Sequence, residues 1–208
     1  PQRCTVITYG FELSQPPDAA EKNAAREKLC KTHDIAANDK ILLFNGTLGY
    51  KPNLDALDII LEKINPVLLE AENFKYKIII CGNKLPPGYN GLINYKEKNI
   101  IYAGFVNDIN LYFKGCDVFI NPVTDGGGIK TKVVEALGYD LSVISTRSGA
   151  IGIPAEITGN KLQVLPDNDW NGFARCILSP DPGLTIPAAY FEHFYWGNIA
   201  AKAAECFS

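Results

Sequence analysis

Asn121-Pro122-Val123-Thr124-Asp125-Gly126-Gly127-Gly128-Ile129-Lys130-Thr131-Lys132-Val133-Val134-Glu135-Ala136-Leu137-Gly138 is the stretch that decides the fold class. The apolar run Asp117-Val118-Phe119-Ile120 reads as a strand, and Asn121-Pro122 stops it. Three glycines follow, and residues 131–137 read as a helix. A strand, a glycine-rich loop and a helix make one step of a parallel α/β sheet.

The same step recurs on both sides. Cys4-Thr5-Val6-Ile7-Thr8-Tyr9 reads as a short strand broken by Gly10, and Asp18 as the N-cap of a helix to about Lys31. Ile41-Leu42-Leu43-Phe44 and Lys77-Ile78-Ile79-Ile80-Cys81 are continuous apolar runs, as expected of strands buried on both faces. Between them Asn53 is read as the cap of a helix carrying Leu54, Leu57, Ile60, Leu61 and Ile64 on one stripe. Pro86-Pro87-Gly88 marks a loop. Strands are expected at 100–102, 141–145 and 161–165, a short helix capped by Asn107 or Asp108 through Phe113, and helices at 167–177 and 187–206. Strands alternating with helices imply a doubly wound parallel sheet with helices on both faces. Such sheets bind ligands at the carboxyl ends of their strands.

Composition narrows the function classes. The 208 residues carry 20 Lys plus Arg against 23 Asp plus Glu, a formal charge of −3. That balance argues against non-specific binding of nucleic acid or anionic lipid. Hydrophobic residues at 47% and charged residues at 21% describe a globular domain and exclude a disordered, collagenous or coiled-coil chain. The chain has no Met, so it is expected to be cut from a longer one. The six cysteines (Cys4, Cys30, Cys81, Cys116, Cys176 and Cys206) lack the close spacing of a zinc knuckle or a redox pair. They are expected to be buried reduced thiols in a cytoplasmic protein. No apolar run approaches a membrane span, and the first residues given lack the basic and apolar regions of a signal peptide.

The glycine loop suits phosphate. Glycines let backbone N–H groups turn inward and approach a ligand closely. A helix N-terminus adds free donors and partial positive charge. Lys130 and Lys132 can add full charge. At about 100° per residue, Gly128, Lys132 and Glu135 share one helical face, whereas Lys130 lies about 140° from Glu135. Glu135 is two turns deep, too far for a phosphate at the helix end and well placed for sugar hydroxyls. Two blander readings stand beside this one: an ordinary surface pair between Lys132 and Glu135, and a plain glycine-rich loop. Gly46-Thr47-Leu48-Gly49-Tyr50-Lys51 and Gly104-Phe105-Val106-Asn107 fall on the same sheet edge. The first offers close backbone approach and a Lys. The second offers an apolar edge and backbone groups that could read a base.

These segments together resemble the C-terminal, nucleotide-sugar-binding domain of a retaining family 4 glycosyltransferase with GT-B architecture. The pieces are Phe44-Asn45-Gly46-Thr47-Leu48, Ile79-Ile80-Cys81-Gly82, Ile101-Tyr102-Ala103-Gly104-Phe105-Val106, Cys116 through Pro122, Gly126 through Leu137, Val143-Ile144-Ser145-Thr146, and Phe194-Tyr195-Trp196-Gly197-Asn198-Ile199-Ala200. The resemblance spans residues 2–205 in order. It implies a single Rossmann-like unit, one half of a GT-B fold. Residues 1–16 would be a linker from an N-terminal half, 17–186 the donor-binding domain, and 187–208 a helix packing back on that half.

The resemblance also implies roles. Glu135 matches the second Glu of the family's Glu-x7-Glu motif, which holds the ribose hydroxyls. The first Glu would fall at position 127, which is Gly127 here, so donor-sugar recognition differs. That matches a Gly-Gly-Gly branch followed by Lys130 and Lys132. The family's diphosphate-binding Arg has no counterpart in the first loop, and Lys51 is the candidate for its Lys. The implied donor site is Gly46, Thr47, Lys51, Gly82, Phe105, Val106, Gly126, Gly127, Gly128, Lys130, Lys132 and Glu135. No catalytic residue is expected in this chain, because the usual catalytic His and the acceptor site belong to the N-terminal half. Neither His33 nor His193 matches a catalytic position. No metal and no cofactor is expected, and the substrate would be a UDP-, GDP- or other nucleoside-diphosphate sugar. The partners implied are that sugar and a hydroxyl acceptor, with membrane contact only through the other half. The alternatives are a 2-epimerase-like enzyme and a binding module without activity. A dehydrogenase, a phosphate-loop NTPase and a serine hydrolase lack their motifs here.

Overall fold

A computed structural model describes residues 7–179 and 185–206. Six parallel strands form one sheet in the order β3-β2-β1-β4-β5-β6. They are β1 (Lys40–Asn45), β2 (Tyr76–Cys81), β3 (Ile100–Gly104), β4 (Val118–Asn121), β5 (Ser142–Thr146) and β6 (Leu162–Leu165). The winding reverses between β1 and β4, which pair through Leu42–Val118 and Leu43–Phe119. In a doubly wound sheet that reversal opens a crevice beyond the strand ends.

Alternation along the strands divides the core in two. Ile41, Leu43, Ile79, Phe119 and Val143 face one layer. That layer holds Leu29 of α1 (Ala19–His33), Phe113 of α4 (Ile109–Gly115), Val133 and Leu137 of α5 (Thr131–Gly138), and Tyr190 of α7 (Ala188–Phe194). Leu42, Phe44, Ile78, Ile80, Ile120 and Ile144 face the other. They meet Leu57 of α2 (Lys51–Ile59), Leu68 of α3 (Asn65–Leu69) and Phe173 of α6 (Trp170–Leu178). Ile41, Leu42, Leu43 and Phe44 are each 0% exposed, so their unbroken apolar run reflects cover on both faces.

The caps follow side-chain chemistry. Asp18 accepts from the Glu21 amide at 2.8 Å, and Glu21 returns the bond to the Asp18 amide at 3.1 Å. Asp108 and Asp169 cap α4 and α6 in the same sense. Asn53 does not cap α2, contrary to the sequence reading. The helix starts at Lys51 with Pro52 in its first turn, and the Asn53 amide donates to the Thr47 carbonyl at 3.1 Å. Of the expected stripe, Leu57, Ile60, Leu61 and Ile64 are buried and Leu54 is half-buried, and a π turn at Ile60–Ile64 interrupts it. Pro66 supplies no N–H to the preceding turn, which accounts for the widening there. The segment read as a loop at Pro86-Pro87-Gly88 leads into 3-10 turns over Pro87–Lys98, kinked at Asn90–Leu92.

Two further expectations change. The strand expected from Cys4 begins outside the described residues. Its described part, residues 7–9, takes no strand partner among them, and the first pairing is an isolated bridge from Phe11 to Tyr195. That bridge splits the helix expected over 187–206 into α7 and α8 (Trp196–Glu205). The Phe11 amide donates to the Phe194 carbonyl at 2.9 Å, and the Trp196 amide donates to the Phe11 carbonyl at 3.1 Å. Tyr195 is extended there, with φ −72° and ψ 127°. Helix α7 belongs to this core: Tyr190 and Phe194 are 0% exposed, and the Tyr190 hydroxyl donates to the Val134 carbonyl at 2.8 Å. Cys30, Cys81, Cys116, Cys176 and Cys206 are free thiols; Cys81 is buried and Cys206 is exposed, against the expectation of uniform burial. Cys4 lies outside the described residues. Among the described residues, no helix is long and apolar enough to cross a membrane.

Candidate donor site

The crevice is built on a close backbone contact. A Cβ on Gly82 would lie 2.0 Å from the Gly46 carbonyl oxygen, so only glycine lets the loop after β1 rest on the end of β2. The loop is held there by the Gly46 amide on the Cys81 carbonyl at 3.0 Å and the Leu48 amide on the Asn83 carbonyl at 2.9 Å. Beside it opens a cleft of about 250 Å³, lined by Asn45, Gly46, Thr47, Gly82, Phe105 and Val106 among others. Phe105 stands at the rim, 71% exposed. Asn45 keeps its Oδ1 buried with no hydrogen-bond partner, an acceptor available to a ligand.

The glycine loop is the next neighbour. Gly126 and Gly128 hold φ of +91° and +70°, which glycine adopts without cost. Asp125 accepts from the Gly126 amide at 2.6 Å. Lys130 folds back on the loop and donates to the Gly126 and Gly128 carbonyls at 2.7 and 3.0 Å. Burial pulls the Lys130 ammonium below its ordinary pKa, against a smaller upward pull from Asp125. Among the described residues, the amides of Gly127 and Gly128 meet no acceptor.

Lys132 joins loop and cleft. Its ammonium donates to the Asn45 carbonyl at 3.1 Å and to Asn53 Oδ1 at 2.9 Å, and it lies 4.4 Å from the Phe44 ring centre. Burial and, second, neighbouring Lys130 push its pKa down to about 7. Glu135 accepts from the Tyr9 hydroxyl at 2.7 Å. Burial raises the Glu135 carboxyl, and the Tyr9 bond partly offsets that. The simple surface pair between Lys132 and Glu135 is therefore not made: each side chain takes other partners.

The structure thus brings Gly46, Thr47, Gly82, Phe105 and Val106 to one cleft. Lys132 reaches the Asn45 edge of that cleft, Gly126 lies near Tyr50 and Pro52, Gly127, Gly128 and Lys130 continue the loop into α5, and Glu135 sits one turn further along the helix. Lys51 is not drawn in; it is 80% exposed and paired with Asp55 at 2.5 Å. His33 meets the Tyr112 hydroxyl at 3.0 Å at the end of α1, away from the cleft. Sequence reading missed Asn45, Asn53 and Tyr9. The Asn at the end of the buried Phe44 strand was a usable signal, since a polar side chain there faces the crevice. Tyr9 and Asn53 gave none, because their partners are far along the chain. Among the described residues, no three His, Cys, Asp or Glu side chains are grouped to hold a metal.

Comparisons with known proteins follow the same lines. Residues 39–179 match the family model of the glycosyl transferases group 1. An uncharacterized 44.6 kDa protein in the cps region of Klebsiella pneumoniae is 33% identical over 150 residues, covering 66% of this chain and 36% of that protein. A glycosyltransferase structure from Rickettsia africae ESF-5 superposes with a TM-score of 0.72 at 17% identity, covering 98% of this chain and 56% of that one. HepE of Anabaena, solved with UDP and glucose, gives 0.67 at 17% identity, again covering 98% and 56%. The chain spans about a third of the curated relative and about half of each of these two structures. At such identities the structural likeness shows a shared fold, half of a GT-B architecture.

Proposed function

This chain belongs to the group 1 glycosyl transferases, and we propose that it is the donor-binding half of a retaining, family 4 type enzyme. The enzyme would move a sugar from a nucleoside diphosphate to an acceptor hydroxyl. The observation that carries this reading is the face of α5. Lys132 and Glu135 are both half-buried at the sheet's switch point, and no carboxylate is spent on the lysine.

Each group then has a task. The free amides of Gly127 and Gly128 and the ammonium groups of Lys130 and Lys132 meet the diphosphate. They stabilise the negative charge that grows on it as the sugar departs. Glu135 accepts hydrogen bonds from the ribose hydroxyls. The base lies in the cleft between Gly82 and the Phe105-Val106 edge. HepE holds UDP in its structure, which makes UDP the first donor nucleotide to test. Acceptor binding and the catalytic group fall to the other half. The chain by itself binds the nucleotide weakly and turns over nothing.

Titration with UDP, GDP and ADP, followed by NMR, tests the assignment. The expected result is shifts of residues 126–135 with one of them. No shift there with any of the three would remove the donor-site reading. Glu135→Ala is expected to weaken binding by about 1.5–3 kcal/mol, the worth of hydrogen bonds to a charged group. Calorimetry on the folded variant checks it, and unchanged affinity would leave Glu135 only its bond to Tyr9.

A further inference from the structure

Tyr9 lies far from the donor loops in sequence, yet its hydroxyl bonds Glu135 Oε1 at 2.7 Å. The segment that carries it is clamped on two sides. Phe11, two residues on, packs its ring where a Cβ of Gly138 would stand, 2.2 Å from Phe11 Cε2. Alternate residues of an extended segment thus grip α5 at Glu135 and Gly138, which are three apart and share a helical face. On the other side, the Tyr9 ring meets Trp196 edge-on at 5.7 Å and 69°. A Cβ on Gly10 would lie 2.8 Å from the Phe194 carbonyl oxygen, so the backbone is pressed onto the α7–α8 junction. The Phe11–Tyr195 bridge locks the contact. Tyr9 is therefore a rigid donor aimed at one oxygen of a half-buried carboxylate.

We propose that Tyr9 is a positioning residue for the donor site: by holding Glu135 Oε1 it fixes the carboxylate so that the other oxygen meets the ribose hydroxyls. This rests on the donor-site reading of Glu135 given above. Burial and the nearby Glu135 carboxylate raise the Tyr9 pKa, so the phenol stays protonated and remains a donor. Without it, Glu135 loses its only neighbouring side-chain donor among the described residues, and its rotamer is no longer set before the ligand arrives.

Tyr9→Phe tests this, because it keeps the ring against Trp196 and removes only the hydroxyl. Affinities are measured by calorimetry for UDP and for its 2′,3′-dideoxyribose analogue, with GDP and ADP run beside them. The same pairs are measured on Glu135→Gln and on the double variant. Tyr9→Phe is expected to weaken the ribose nucleotide about tenfold, the worth of one charge-assisted hydrogen bond, and to leave the dideoxy analogue unchanged. The double variant is expected to lose little more than Glu135→Gln alone. Equal losses for both analogues would make Tyr9 a packing residue only and overturn the proposal. So would unchanged affinity, or a gain showing that Tyr9 blocks the ribose. If Glu135→Gln fails to distinguish the two analogues, the ribose assignment of Glu135 itself falls. If none of the three nucleotides binds, the whole donor-site reading falls with it.

Discussion

Lys132→Met is expected to keep the fold and lose about a hundredfold in nucleotide affinity, near 3 kcal/mol. The ammonium sits over the Phe44 ring with two neutral oxygens as its partners. In the free chain its charge is poorly compensated, which is why its pKa falls to about 7. Met matches the length of the stem, suits a helix, and removes the buried charge. It also leaves the Asn45 carbonyl and Asn53 Oδ1 without a donor, so the net change in stability is expected to stay within about 1 kcal/mol. A diphosphate, by contrast, loses a full positive charge at a site partly shielded from water. Calorimetry and thermal denaturation on the same samples decide it. A melting loss as large as the affinity loss would make Lys132 structural.

The same lysine sets a pH signature. Between pH 7 and the unfolded-state value near 10.4, the unfolded chain holds the extra proton. Stability of the free chain is therefore expected to rise with pH across that window, and Lys132→Met to flatten the rise. A bound diphosphate favours the charged ammonium and raises its pKa. Binding at pH 8 should take up a proton, and affinity should fall as the pH climbs from 6 to 9. Calorimetry in two buffers of different ionisation enthalpy reads the uptake directly.

Gly82→Ala is expected to be the most damaging glycine-to-alanine change among the described residues, destabilising the chain by about 3 kcal/mol or more. The new Cβ would lie 2.0 Å from the Gly46 carbonyl oxygen and 3.2 Å from Leu48 Cγ. The carbonyl cannot step aside cheaply, because the bonds from Gly46 to Cys81 and from Leu48 to Asn83 hold its loop. Relief would open the loop from β2 and reshape the cleft. Gly127→Ala is the matched control: its Cβ would meet nothing within 4 Å, so stability should change by less than about 0.5 kcal/mol. Urea unfolding of both variants measures the contrast. A Gly82→Ala chain as stable as the parent would show that the loop after β1 does not rest on the end of β2.

The strands and the edge that carries the loops were readable because their signals are local. Runs such as Ile41-Leu42-Leu43-Phe44 are decided by burial on both faces, and period 3.6 placed Lys132 and Glu135 on one face of α5, whereas Gly128, expected on that face, precedes the helix with φ +70°. What those side chains bond was not readable. The partner of Lys132 is 79 residues away at Asn53, and that of Glu135 is 126 away at Tyr9. The same distance effect misled the reading of Asn53 as a cap, since Pro52 starts α2 without one. Tyr195 looked helical because it lies between Ala188-Ala189 and the Ala-rich run 200–205, both good helix formers. Phe11 instead takes the backbone bonds on either side of it.

The Phe11–Tyr195 crossing has a mechanical side. A pull applied at the two ends of this unit reaches the clasp before it reaches the sheet. Two backbone hydrogen bonds and the Tyr9–Trp196 ring contact bear the load first. The strands behind them stay slack until that clasp is peeled. In a force-extension trace this predicts a small early rupture, ahead of the main unfolding peak, in which the Tyr9–Glu135 contact parts while the parallel sheet is still whole.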